Sequence, residues 1–229
     1  MKQTYTKLLA AAIALAGMAL SAGAQVKNDL GRYKLKGSPK TVTELEYTLV
    51  PGAREALKDG LKVKSVARYN VEGNRIDFIT YSPEGAVQSR SVYSYNDSGR
   101  LVDVKRYRAD GGLNVRTTYT YDVRGNEAEE SNYDPTGTLF MTAKGKYDLN
   151  GNRIVNDRFG PNGILFLKSN LKYDKHGNEI EEREYDSHES LKFKTTHKYD
   201  NYDKNGNWLL KATYKNEEPR SITEREIEY

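Results

Sequence analysis

No cysteine occurs in the 229 residues, and the chain holds only one Trp, three His and five Phe. The missing cysteine excludes a disulfide framework, a thiol nucleophile, Cys-ligated zinc and a lipidated cysteine behind a leader. Hydrophobic residues are scarce at 37%, and part of that share sits in the first 24 positions, so a thick globular core is not expected. Charge of a single sign is lacking as well. The 36 Lys and Arg are interleaved with 32 Asp and Glu, unlike the basic footprint of a nucleic-acid binder, and no nucleic-acid partner is expected. G-x-S-x-G, H-E-x-x-H and phosphate-cradling glycine loops are absent. The reading is a non-enzyme with no cofactor.

Lys2 and Lys7 precede an apolar run from Leu8 to Leu20, followed by the small residues Ser21, Ala22, Gly23 and Ala24. That order is a secretory signal peptide, with Ala22 and Ala24 where a signal peptidase requires small side chains. Its apolar run is too short to span a bilayer comfortably. The expected organisation is a signal peptide over 1–24, an extended N-terminal segment over 25–40 and one β-repeat domain over 41–229. Loss of Lys2 and Lys7 lowers the formal charge from +4 to +2. The mature chain is expected to be exported, periplasmic or secreted, in a Gram-negative envelope, with no membrane span once the signal is cleaved.

What the chain has in abundance is tyrosine, 18 residues, and a recurring turn. Glycines at 73, 85, 99, 111, 125, 137, 151, 163 and 177 alternate in spacing between 12 and 14, giving a unit of 26 residues. Each turn reads Asp, Asn or Ser, two variable residues, then Gly, with Pro83, Pro135 and Pro161 in the first variable position. This is a type I turn followed by a left-handed glycine, the three-residue hairpin loop with a G1 bulge. Between turns lie segments of seven to nine residues rich in Val, Ile, Thr, Tyr and Leu, which suit strands. A period of this length means repeated supersecondary units that share one core. The expected fold is all-β: an antiparallel hairpin meander of 26-residue repeats, about 12 to 14 strands in an elongated or curled single sheet.

In such hairpins the residue before the turn pairs with the one two places past Gly, as Tyr121 with Glu127. Odd positions then pair with odd positions, which puts Glu184 opposite Lys192 and Glu182 opposite Lys194, pairs of roughly 0.2–1 kcal/mol. Two breaks in rhythm stand out. Glu189 replaces a turn glycine, and "YDNYDKNG" carries three extra residues, where a bulge is expected. In "SITEREIEY" the Glu side chains alternate, as on a protected edge strand. The stretch from Pro51 to Gly60 reads as a loop in which "AREALKD" forms one helical turn.

The phrases "YDVRGN", "YDLNGNRI", "YDKHGNEI" and "YDKNGNW" resemble the YD-repeat (Rhs-type) family of bacterial secreted proteins, and the hairpin series also resembles variant MORN repeats. The resemblance covers about residues 61 to 214. It implies long antiparallel hairpin arrays, which in large toxin-associated relatives wrap into shells with carbohydrate-binding or cargo-enclosing roles. It brings no catalytic residues with it.

Several clusters invite a chemical reading. Asn201, Asp203, Asn205 and Gly206 match the first half of a calcium loop, but Ala212 stands where the bidentate Glu belongs, so the stretch reads as an Asx-rich turn and no metal site is assigned. Glu127, Glu129, Glu179 and Glu181 recur with the repeat, as a charge ladder does. The candidate binding surface is aromatic: Tyr93, Tyr95, Tyr119, Tyr121, Tyr147, Tyr173 and Trp208. These rings either pack against Leu in a thin core or stay open as stacking platforms, and Trp208 either stacks on a ligand or anchors the last hairpin. The preferred function is an exported scaffold that docks an envelope protein partner through its repeated face or edges. The alternative is a carbohydrate or cell-wall binding module using the aromatic rows.

Overall fold

A computed structural model describes residues 28–50 and 56–229 of the chain. The signal peptide and the start of the expected helical turn in "AREALKD" lie outside the described residues, while Lys58 and Asp59 of that phrase already belong to a strand. A single helical turn, α1 (Asp29–Arg32), precedes fourteen strands. They are β1 (Thr41–Leu49), β2 (Lys58–Tyr69), β3 (Arg75–Tyr81), β4 (Val87–Tyr95), β5 (Leu101–Arg108), β6 (Leu113–Tyr121) and β7 (Glu127–Tyr133). The second half comprises β8 (Leu139–Tyr147), β9 (Arg153–Phe159), β10 (Leu165–Tyr173), β11 (Glu179–Asp186), β12 (Leu191–Tyr202), β13 (Trp208–Lys215) and β14 (Glu218–Glu228).

The elongated or curled open sheet expected from the repeat does not form. All strands pair antiparallel with their sequence neighbours, and β1 also pairs with β14, Thr41 opposite Glu228 through Tyr47 opposite Ile222, so the sheet closes into a barrel. The alternating Glu residues of β14 therefore protect no edge. Glu224 instead takes an ion pair from Lys58 on the neighbouring hairpin.

Closure follows from a register feature that the turn pattern does not show. At the β6–β7 hairpin Gly125 has φ +82° and its amide donates to the Asp122 carbonyl at 3.0 Å, as the turn chemistry requires. Tyr121 pairs with Glu127, but Thr120 then pairs with Glu129, leaving Ala128 as an extra residue. The same shift follows the turns at Gly73, Gly99, Gly151 and Gly177, and a matching one appears at the opposite end, where Tyr81 pairs with Val87 and Thr80 with Ser89. Each bulge bends its strand and sharpens the right-handed twist. With one bulge at hairpin after hairpin, the curvature accumulates until first and last strands meet.

The bulges also correct the expected parity. Odd positions pair with even ones beyond each bulge, so Glu184 lies opposite Phe193, Glu182 opposite Thr195, and Arg183 opposite Lys194. The three extra residues of "YDNYDKNG" make no register shift: they extend β12 to Tyr202, with Asn201 at φ +51°. Glu189 holds the turn glycine's place at φ +61°, with the same amide contact to the Asp186 carbonyl at 3.1 Å.

Once the bulges are counted, each strand has a clear inside and outside. Arg75, Phe78, Tyr93, Val104, Thr117, Tyr119, Glu130 and Asn132 face the lumen. The outer wall carries charged pairs, including Arg116 with Asp103, Lys144 with Glu129 at 3.4 Å and Lys172 with Glu181 at 2.9 Å. A lipid-facing barrel needs an apolar band about 25 Å tall at those positions. At those positions this wall carries ion pairs. Among the described residues, no helix is long and apolar enough to cross a membrane.

Candidate functional site

Barrels of about eight strands are filled by their own side chains, and those of roughly 16–18 hold an aqueous channel. Fourteen strands fall between, and this lumen is partly filled by long polar side chains and by side chains of residues 28–40. Residues 28–40 cross the mouth that carries the Tyr-Asp turns. The Leu30 amide donates to the Gly73 carbonyl at 3.0 Å at one side of the mouth, and the Lys36 amide to Asn207 Oδ1 at 2.9 Å at the other. Asn28 caps the short helix through Gly31, and Leu30 and Leu35 pack with Val42, Ala67 and Tyr69 in a small apolar cluster. Arg32 reaches inward to Glu127 at 2.6 Å, where Arg153 also meets the same carboxylate. Glu127 is 8% exposed, so two guanidiniums share one buried acid.

Below this strap runs a ladder of tyrosines. The Tyr121 hydroxyl donates to the Leu101 carbonyl at 2.7 Å, Tyr173 to Arg153 at 2.8 Å and Tyr199 to Glu179 at 2.7 Å. Tyr95 lies 2.7 Å from the Arg75 carbonyl and also donates to the Asp29 carboxylate of the strap. Each acceptor is the first strand residue after a turn, immediately before the bulged position, and the tyrosine of the next unit donates to its carbonyl. Tyr147 departs from the pattern, its hydroxyl accepting from Arg153 Nε at 3.0 Å. Burial pushes the Tyr69 and Tyr121 phenols up to about 12, and the phenols of Tyr95, Tyr119, Tyr173 and Tyr199 higher, again with burial as the largest cause.

Two cavities stand out among the described residues. One, of about 400 Å³, lies beneath the strap among the ladder tyrosines, Arg32 and Trp208. The other, of about 320 Å³, extends farther from the Tyr-Asp turns along β3 to β7 and is lined by Tyr33, Arg75, Phe78, Tyr93, Arg106, Tyr119, Glu130 and Asn132. Of the aromatic candidates, Tyr93 and Tyr119 therefore present their rings to this second space. Tyr95, Tyr121, Tyr147 and Tyr173 line the first and have committed hydroxyls. Trp208 is 7% exposed, with the Arg225 guanidinium 3.3 Å above its ring and Tyr199 at 5.4 Å. Glu129 and Glu181 stand on the outer wall, whereas Glu127 and Glu179 face the lumen, where Glu179 lies 3.7 Å from His197. The Asp203 carboxylate is held by its own turn, accepting from the Asn205 and Asn207 amides at 2.9 Å, and by Tyr229.

Sequence reasoning missed Tyr33, Arg75, Phe78, Arg106, Glu130 and Asn132 as cavity residues. A signal was present. At the first position after the Tyr-Asn and Tyr-Asp turns of this end the units read Arg75, Leu101, Glu127, Arg153 and Glu179, varying where the neighbouring tyrosine is constant. Variation confined to one register position of a repeat marks the place where units differ in role.

No family model matches the chain and no curated protein matches it. Solved structures resemble it distantly. A porin-like protein from Bacteroides uniformis is 10% identical at a TM-score of 0.49, over 84% of this chain and 98% of that one. An outer membrane lipoprotein-sorting protein domain from Vibrio parahaemolyticus is 16% identical at 0.39, over 86% of each chain. TcdB2-TccC3 without its hypervariable C-terminal region is 14% identical at 0.29, over 80% of this chain but only 11% of the other. The YD-repeat resemblance accordingly rests on the repeated phrases themselves.

Two outcomes test the ladder. Tyr121→Phe keeps the ring but removes this donor from the Leu101 carbonyl, and urea denaturation should show a loss of about 1 kcal/mol or more. Tyr133→Phe, whose ring already lies beneath Arg116, should stay within about 0.5 kcal/mol of wild type. Because the folded-state phenol values are raised above the ordinary 10.0, their contribution to stability is complete below pH 10 and falls as pH rises through about 12. Phenolate absorbance should therefore rise together with unfolding in an alkaline titration; full ionisation of all tyrosines in a folded barrel would contradict the buried ladder.

Proposed function

We propose that this is an exported, non-enzymatic binding protein of the cell envelope that holds a saccharide in the second lumenal cavity. The observation that carries this reading is the placement of four aromatic rings, Tyr33, Phe78, Tyr93 and Tyr119, around one space together with Thr117, Glu130 and Asn132. Flat apolar faces alternating with hydrogen-bonding groups suit a sugar ring, which presents C–H faces and an equator of hydroxyls. At about 320 Å³ the cavity lies at the small end of the roughly 300–1,000 Å³ range of ligand pockets. The site holds no nucleophile with an adjacent base, and the Glu130 carboxylate accepts from Asn132 at 2.9 Å, an arrangement for binding rather than turnover.

Pairing of β1 with β14 leaves no free sheet edge among the described strands on which a protein partner could dock. A second reading keeps the outer face. Phe140, Ile164 and Phe166 are 43%, 63% and 45% exposed on β8 and β10 and at the turn end between β9 and β10, apolar side chains open to a protein partner.

The export part of the proposal predicts that intact mass of the protein recovered from the periplasm or medium begins at Gln25. For the binding part, calorimetric titration of the mature chain against a panel of mono- and disaccharides should find a ligand whose affinity falls about tenfold in Tyr119→Ala and in Tyr93→Ala. Saccharide binding unchanged in both variants would place the ligand elsewhere. No saccharide binding, with an envelope protein retained by wild type and released by Phe166→Ser, would favour the outer-face reading.

A further inference from the structure

The lumen neutralises nearly all of its buried arginines with glutamates. Arg32 and Arg153 share Glu127, Arg158 lies 3.4 Å from Glu184, and Arg225 lies 2.6 Å from Glu44. Arg75 is different. Among the described residues its guanidinium has no carboxylate oxygen within 4.0 Å, its side-chain hydrogen bond goes to the neutral Tyr69 hydroxyl at 2.9 Å, and Nε has no partner. Aromatic rings hold it in place: its centre is 3.8 Å from the Tyr33 ring, 5.1 Å from Phe78 and 5.8 Å from Tyr93. Asp29, the acid of the strap, accepts from the Arg75 backbone amide at 2.9 Å and from the Tyr95 hydroxyl. Glu44, whose carboxyl burial would raise but Arg225 and, less strongly, Arg75 hold below its usual range, is paired with Arg225 at 2.6 Å, so both carboxylates are turned to other donors.

A second guanidinium without an acid, Arg106, lines the same cavity from β5. The wall contributes one carboxylate against these two cations, Glu130, and that group is tied to Asn132. A secluded guanidinium without a counter-charge is costly to keep unless an anion arrives to meet it. Its planar fork matches a carboxylate two bonds at a time, and a guanidinium clamped between rings gives up little freedom when it does so.

We propose that the cavity is selective for an acidic sugar, a saccharide bearing a carboxylate, with Arg75 as the carboxylate-binding residue and Arg106 as a supporting positive charge at its outer side. This rests on the reading of the cavity as a saccharide site. The rings of Tyr93 and Tyr119, which have Arg75 at 5.8 Å and Arg32 at 4.8 Å respectively, border the sugar and the Arg75 guanidinium takes the acid, so that the neutral analogue fills the same volume but leaves Arg75 unmatched.

The test compares uronic acids with their neutral counterparts, glucuronate with glucose and galacturonate with galactose, by calorimetric titration and ligand-observed NMR on the mature chain. At least one acid should bind ten times or more tightly than its neutral partner, and added NaCl should weaken the acid alone. Arg75→Gln should bring the acid-to-neutral affinity ratio down toward one, and Arg75→Lys should restore part of it. Arg106→Gln, at the exposed end of the cavity, should reduce the preference by a smaller factor and tests the same claim if Arg75 variants fold poorly. Equal binding of acid and neutral forms, or a preference that survives both glutamine variants, overturns the acidic-ligand inference and leaves the saccharide site standing. Binding of neither class overturns both.

Discussion

The closed barrel depends on one recurring device, a bulge just after the turns at Gly73, Gly99, Gly125, Gly151 and Gly177, with the tyrosine of the next unit donating to the carbonyl beside it at four of the five. The bulge lies next to the Leu101 carbonyl, and the following repeat supplies Tyr121 to donate to it. Without the tyrosine, that carbonyl would lose a donor in a secluded place. With it, each unit is locked to its predecessor from the inside as well as along the sheet. The same bulges supply the twist that brings β1 against β14, so local hydrogen bonding and global closure have a common origin.

Closure determines where chemistry can occur. An open sheet would offer its tyrosine face to any partner along its length, whereas a barrel withdraws that face into a lumen of restricted volume. Side chains that look like periodic surface charges become interior ion pairs, Glu127 with Arg32 and Arg153, and other ion pairs stand on the outer wall. The strap over one mouth then differentiates the interior. On its side the tyrosine hydroxyls are occupied by backbone carbonyls; farther in, along β3 to β7, rings and guanidiniums line open space.

The repeat's regularity and its exceptions carry different information. Constant positions, such as Tyr95, Tyr121, Tyr173 and Tyr199, build the frame through the same contact in unit after unit. Tyr147 shows how the frame yields to local charge, since Arg153 takes its hydroxyl in place of a carbonyl. The positions beside them vary in charge and size, and the asymmetric cavity comes from that variation.

The amino-acid sequence by itself determined the hairpins, because turn chemistry is local: Asp at the start, a left-handed Gly at the end and a ring just before are enough to place each reversal of the chain. It also determined strand length and the alternation of long and short segments. Direction and closure were decided only in three dimensions. One extra residue per hairpin inverts the parity of every position beyond it, and nothing within a single turn counts that residue; Glu182 thus meets Thr195 rather than Lys194. Whether fourteen strands stay open or meet depends on the sum of many small twists, and the partners of Arg32 and the solitude of Arg75 depend on where the strap crosses the mouth. Those are properties of residues far apart in the chain, and only the folded barrel brings them together.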